Sequence, residues 1–417
     1  MPSHRFWTDE RLDEYIALLK ESATVGEALN SFRARHKRRI SSSGATQSVR
    51  AYCGKFPAEL VMRSEAAVAE RDEQALLRRR VREQQKTIRR LERETETSAL
   101  VKSLLGRVVD APQNPPKWLQ RANKRKIEHG TPTLFLSDLH HGEVVSAAEM
   151  SGCNEFSPEI SRKRIRTVFD RSLYLLDSVF ANPVYPGIVL ACGGDMLSGN
   201  IHEEIRESNG MPIFDALLDL ADVLTAGIRL LAERFGSVYV PWVVGNHGRI
   251  DRKPRAKHGP ADNYEYMLGH HLAARFDGDK RVTIQVSDAF SLRYTVHSTR
   301  YLLMHGDSFK GGGGISGPLL PWTLGDHRLR KQRASMSSWT GRDQSYDVLL
   351  FGHWHTYFPS RTFVANGSLK GFDEYAAKCG FSYEPPQQAL WLTSPDLGPT
   401  IHLPVYGEDP PRPGRRA

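Results

Sequence analysis

Five short apolar runs constrain this chain most, because each stops at a residue type that can hold a metal ion. The first, residues 133–137, leads into Asp138-Leu139-His140. Pro132 and Gly142 bound a stretch too short for a helix, so it reads as a buried strand. In extended backbone residues i and i+2 share a face, so Asp138 and His140 can address one ion. Taken alone, the pair reads equally well as a strand-end turn beside a hydrogen-bonded histidine. Four later runs repeat the pattern: 187–192 before Gly193-Gly194-Asp195, 237–244 before Gly245-Asn246-His247, 300–304 before His305, and 347–351 before Gly352-His353-Trp354-His355. Glycine sits beside the polar residue in four of the five, where backbone must approach closely. Unrelated turns do not produce such a series, and ligands of open α/β sheets gather at the carboxyl ends of strands.

Composition narrows the donors. The four cysteines, Cys53, Cys153, Cys192 and Cys379, form no C-x-x-C, so a disulfide framework and a thiolate zinc site are not expected. No apolar run approaches the roughly 18 residues of a membrane span. The opening Met1-Pro-Ser-His-Arg-Phe-Trp7 has no apolar signal core, so a cytoplasmic location without membrane attachment is expected. The net charge of +9 is uneven: residues 1–130 carry 27 Lys and Arg against 17 Asp and Glu, and the remainder 30 against 31. A basic excess confined to one end points to an acidic partner, nucleic acid foremost. The bland counterpart is a solvated basic helix surface.

The basic end reads as a small all-α module over 1–60. Residues 7–20 open at Thr8 with acids in the first turn, and Leu12, Tyr15, Ile16 and Leu19 make one face. A second helix is expected from Thr24, then the basic run Arg33, Arg35, Lys37, Arg38 and Arg39. A polar turn at 41–45 and a third helix over 46–52 follow. Three short helices with a basic connection suit a helix-turn-helix unit, in which the third helix would enter the major groove. A protein-docking module fits as well. The opening Trp-Thr-Asp-Glu is loosely similar to the start of a Myb-type repeat. Residues 61–109 read as a polar helical linker, and 64–97 as a helix whose Leu77, Val81, Ile88 and Leu91 could seat a homodimer. Residues 110–132 read as a proline-containing linker, and 406–417 as a disordered tail.

From 133 to 405 the texture changes. Strands are expected at the five runs above and at 282–286, 291–296, 361–364 and 388–393, with helices over 158–180 and 212–235. Strands first alternate with helices and later follow one another, which indicates a layered α/β (α+β) domain with mixed sheets.

The ordered set Asp138-x-His140, Gly194-Asp195, Gly245-Asn246-His247, His305 and Gly352-His353-x-His355 resembles the calcineurin-like metallophosphoesterases. The resemblance implies a two-sheet sandwich flanked by helices and two divalent metal ions. Carried over by position, it makes Asp138, His140 and His355 ligands of one ion and Asn246, His305 and His353 ligands of the other. Asp195 would bridge them, and His247 would face the substrate. Paired ions lower the pKa of a bridging water, and the resulting hydroxide attacks phosphorus in line. Mixed oxygen and nitrogen donors favour Mn, with Fe, Zn, Co or Ni as alternatives. Two positions depart from the family pattern: Gly248 stands where an acid often follows the Asn-His pair, and Ser198 where Asp or Asn often follows the bridging residue.

Other residues flank the series. His141 reads as a surface histidine. Arg249, Arg252 and Lys253 follow His247 and could carry a nucleic-acid backbone. Residues 310–314 read as a hinged flap, with Trp322 available to stack on a base. The chain is therefore expected to be a metal-dependent phosphodiesterase with Asp195 and His247 as catalytic residues, and a DNA nuclease in particular. The alternatives are a phosphomonoesterase with a helical docking module, and a DNA-binding protein with an inert phosphoesterase domain.

Overall fold

A computed structural model of the chain describes residues 7–22, 24–37, 40–53, 114–120, 130–180, 183–311 and 317–409. The chain divides into two compact units, 1–100 and 101–417. The helix and dimer contact expected over 64–97, Arg38, Arg39 and most of the expected tail lie outside the described residues.

In the first unit, α1 (Asp9–Glu21), α2 (Val25–His36) and α3 (Ser42–Cys53) enclose one small core. Tyr15, Leu19, Leu29, Phe32, Ala45 and Val49 are buried, and Trp7 stacks on Phe32 with centroids 5.3 Å apart. Thr24 caps α2 by accepting the Glu27 N–H at 3.1 Å. The expected polar turn at 41–45 is instead the start of α3. Ser41 Oγ accepts the Gly44 N–H at 3.1 Å, so the serines serve the helix start they were expected to delay.

The second unit is built on two sheets. The six-stranded sheet runs β11 (Gly398–Tyr406), β10 (Gln387–Ser394), β1 (Thr131–Leu136), β2 (Ile188–Cys192), β3 (Val238–Trp242), β4 (Val282–Val286). Strands β1 to β4 are parallel and β10 is antiparallel to β1. The five-stranded sheet runs β5 (Ser291–Val296), β6 (Thr299–Met304), β7 (Val348–Phe351), β9 (Phe363–Ala365), β8 (Phe358–Pro359). One apolar cluster joins their facing sides, with Phe135, Ala191, Tyr239 and Trp391 from one sheet and Tyr301, Leu303, Leu350 and Val364 from the other. On the outer face of the larger sheet lie α4 (Pro158–Ser178), α6 (Ile213–Phe235) and α7 (Tyr264–Arg275). Short helices α5 (Glu203–Ser208) and α9 (Glu374–Cys379) lie in connections, and α8 (Leu319–Thr340) packs beside the smaller sheet. The architecture is a layered two-sheet α/β sandwich flanked by helices.

Three local expectations are corrected. The segment expected as a linker to 132 already holds structure: Leu119 is buried in the inter-sheet core, and β1 starts at Thr131. Trp322 is buried against Phe351 and Trp354 in α8, so it presents no free ring to a base. His141 is also fully buried, bonded to Ser161 Oγ at 2.8 Å and Asp219 Oδ2 at 2.6 Å. Ser161 is buried as well, so this Ser-His-Asp grouping is structural: it ties the loop after β1 to α4 and α6.

Candidate metal centre

The sheets bring the five strand ends together. β1, β2 and β3 deliver Asp138, Asp195 and Asn246 from one sheet, and β6 and β7 deliver His305, His353 and His355 from the other. Among the described residues, three His/Asp groupings could hold an ion: Asp138 with His140 and His355, Asp195 with His305 and His353, and His140 with Asp195 and His247. His140 Nε2 lies 3.0 Å from His355 Nε2, and Asp138 Oδ1 lies 3.4 Å from that same nitrogen. Asp195 Oδ2 lies 2.9 Å from His305 Nε2, which is 3.0 Å from Asn246 Oδ1. The structure thus brings together every residue singled out for metal binding, and Asp195 belongs to two of the groupings.

Such crowding of lone pairs is unfavourable unless something cationic shares them. Asp138, His140, Asp195 and His305 are essentially buried. Burial, followed by the Lys370 charge, pushes His140 down to about 4. Burial and His305 push His353 down to about 4. Both rings are therefore neutral at physiological pH, as ligation requires. His305 goes the other way: burial opposes its charge, but Asp195 holds it up to about 10, so the surroundings of this ring favour a positive charge. His140 Nδ1 is buried with no hydrogen bond, its nearest acid being Glu143 Oε2 at 3.3 Å. Carboxylate, imidazole and amide donors of this kind fit a divalent metal.

The backbone carries a matching signature. Asp138, His140, Asp195, His353 and His355 have φ of 55°, 46°, 51°, 68° and 53°. This left-handed region is uncommon for residues with a Cβ. Neighbouring groups hold the turns in place. The His353 N–H donates to Asp138 Oδ1 at 2.9 Å, and the His247 N–H to Asp195 Oδ1 at 2.8 Å. At Gly245 a Cβ would strike the Asp195 carboxylate, so the glycine there is a matter of space.

The two departures from the family pattern resolve each other. His247 Nδ1 lies 2.9 Å from the Ser198 carbonyl oxygen, which orients the ring in place of an acid at 248. Gly248 could not be replaced by an acid without its Cβ colliding with Asn263 and Glu265. Ser198 Oγ donates to Glu143 Oε2 at 3.2 Å, and Glu143 faces His140.

Two supports escaped the sequence reading. Glu143 and Asp373 share the buried ammonium of Lys370, at 3.0 and 2.5 Å. Glu265, fully buried on α7, accepts the Gly245 N–H at 2.8 Å and the Leu197 N–H at 3.2 Å. It thereby ties the Asp195 loop to the Asn246 loop. Neither residue lies within a recognisable motif. The signal available was only an acid in an otherwise apolar helix turn for Glu265, and a lysine among small residues for Lys370.

The expected nucleic-acid contacts divide. Arg33 donates through Nε to the Ile40 carbonyl at 2.8 Å, and Arg35 reaches Glu14 at 3.3 Å. Lys37 takes the left-handed cap of α2. Arg252 pairs with Glu203 at 2.8 Å. Arg249 and Lys253 form no ion pair among the described residues.

Comparison with protein-family models gives no match, and comparison with curated proteins gives none. Among solved structures the chain is similar to Vps29 of Entamoeba histolytica complexed with zinc, at 13% identity, covering 66% of this chain and 99% of that one, TM-score 0.26. It is similar also to a predicted phosphoesterase of Streptococcus pneumoniae, at 10% identity over 66% and 97%, TM-score 0.25. A third likeness is to Vps29 of Cryptosporidium parvum, at 11% over 66% and 98%, TM-score 0.26. Superpositions at these scores carry no functional argument; the arrangement of side chains does. Among the described residues, no helix is long and apolar enough to cross a membrane.

Proposed function

We propose that this chain is a dinuclear metal-dependent phosphodiesterase of the calcineurin-like type, acting on nucleic acid and on DNA in particular. The observation that carries the reading is the place of Asp195: its carboxylate groups with His305 and His353 on one side and with His140 and His247 on the other, between the two proposed ligand sets. When bound, two divalent ions, with Mn the expected metal, would supply a Lewis acid for the phosphoryl oxygens and a nucleophile at neutral pH. Asp138, His140 and His355 would hold one, and Asn246, His305 and His353 the other. His247, held at Nδ1 by the Ser198 carbonyl, keeps Nε2 free to bind the ester or to pass a proton to the leaving oxygen. Its N–H bond to Asp195 fixes the ring's distance from the centre.

The nucleic-acid part rests on the basic N-terminal third and on Arg249 and Lys253, which follow His247 in the sequence. The engagement of Arg33 and Arg35 within their own unit favours a second reading, a phosphomonoesterase whose N-terminal helices dock a protein. A panel of single- and double-stranded DNA, RNA and bis-p-nitrophenyl phosphate with Mn separates the two. DNA degradation that Asp195→Ala and His305→Ala abolish is the expected result. Turnover of the small ester without any nucleic acid would favour the second reading, and no turnover of any ester with Mn, Fe, Co, Ni or Zn would overturn both. Deleting residues 1–60 is expected to weaken DNA binding and flatten its salt dependence.

A further inference from the structure

The helix α8 was not expected from the sequence, and its surface is the least explained in the molecule. Its apolar anchoring lies near its start. Trp322 lies against Phe351 and, at 5.9 Å, against Trp354, between His353 and His355. Phe309, four residues beyond His305, packs on Gly325. Two of the proposed ligand loops thus grip the first turns. Beyond Asp326 no α8 side chain is fully buried.

The helix carries Arg328, Arg330, Lys331 and Arg333 against one acid, Asp326. That acid is spent inward, on Arg330 Nε at 2.8 Å and the Tyr346 hydroxyl at 2.8 Å. Arg330 also donates to the Tyr346 carbonyl at 3.0 Å, and Arg333 to Ser291 Oγ at 2.9 Å. Arg328 and Lys331 are exposed and form no ion pair among the described residues. Helical spacing sets Leu324, Arg328, Lys331, Ser335 and Trp339 along one stripe. Trp339 is 91% exposed and Leu324 44%. An exposed indole on a stripe whose only charges are positive offers a flat ring and cations to one ligand.

We propose that this outer face of α8 is a track for single-stranded nucleic acid, with Arg328 and Lys331 on backbone phosphates and Trp339 stacked on a base. The assignment names the substrate form for the phosphodiesterase reading and rests on it. Charge complementarity selects the partner: an anion repeated along a strand, with flat apolar rings between, matches unpaired cations followed by an exposed indole.

The test is equilibrium binding of a fluorescein-labelled oligo(dT) to the full chain as a function of salt, comparing wild type, Arg328→Ala/Lys331→Ala and Trp339→Ala. All three positions are exposed, so folding is unaffected. Removing two phosphate contacts should flatten the slope of log K against log salt by about 1.4. Losing one stacked base should weaken binding about 5- to 150-fold, and the tryptophan quenching seen when wild type binds unlabelled oligo(dT) should shrink in Trp339→Ala. Unchanged affinity and slope in both variants would overturn the track. So would a dimer-to-monomer shift of Trp339→Ala in sedimentation without a change in binding, which would make the face a self-interface. Binding needs no turnover: α8-dependent binding without hydrolysis of any ester would keep the track and remove the phosphodiesterase reading.

Discussion

Glu265 Oε2 accepts the backbone N–H of Gly245 at 2.8 Å, while its Oε1 takes that of Leu197 at 3.2 Å. One buried carboxylate thereby fixes the spacing between the loop of Asp195 and the loop of Asn246. Glu265→Gln keeps the shape but turns an amide toward one of the two donors. We expect a loss of about 1–3 kcal/mol in stability and of about 10- to 100-fold in metal affinity. Denaturant titration and metal titration of the purified variant check both.

Stability of the metal-free protein should fall as pH rises between 6.5 and 8. Burial, then the Asp195 charge, hold Glu265 up at about 8 against 4.5 for a free glutamate. His305 is held up at about 10 against 6.5. Across that window the folded state binds more protons than the unfolded state, so unfolding becomes easier as pH rises. His140 and His353, at about 4 when folded, act oppositely, and only below their free value of 6.5. Urea midpoints at pH 6.5 and 8.0 test the sign, and Glu265→Gln should flatten the slope.

Metal uptake should release a proton. His305 is protonated at neutral pH in the metal-free chain and must give up that proton to ligate, whereas His140 and His353 are already neutral. Calorimetric titration with Mn in buffers of different ionisation enthalpy should give a slope of at least one proton per site pair, the His305 proton being the minimum. A slope of zero would exclude His305 from the ligands.

His247→Ala should leave metal binding intact and lower kcat by about 10²- to 10⁴-fold. His247→Asn should behave in the same way, because the amide offers a hydrogen bond and no proton near neutrality. A variant that instead loses the metal would move His247 into the ligand set, a role its place beside His140 and Asp195 also permits.

Lys370→Met should cost about 3–5 kcal/mol, because it strands the Glu143 and Asp373 carboxylates in the interior. Adding Glu143→Gln and Asp373→Asn should recover much of that loss. Denaturation of the single and triple variants measures the difference.

The strand ends were legible because a metal centre needs particular donors, and a parallel sheet puts them at the ends of apolar runs. Asp138, Asp195, Asn246, His305 and His353 could thus be named before their neighbours in space were known. What supports them was not legible. Glu265 acts through a contact set by helix packing and Lys370 through one with Glu143, 227 residues away in sequence, and local pattern has no mark for either. α8 escaped because Pro321 and Gly325 break its periodicity, and because only its first turns bury an apolar face. Serines at 41–43 read as a turn since they compete for backbone in the unfolded chain; with Gly44 N–H as partner, Ser41 begins a helix instead.

The left-handed backbone at Asp138, His140, Asp195, His353 and His355 has a consequence for anyone engineering this protein. As glycine each position would escape a backbone cost of about 1–2 kcal/mol, although Asp138 and Asp195 would lose the N–H bonds they accept from His353 and His247. A search for thermostabilising substitutions guided by backbone geometry alone would therefore choose first the residues on which the centre depends. Heat tolerance gained at those five sites would be drawn directly from catalysis, and useful stabilisation has to be sought on the helices instead.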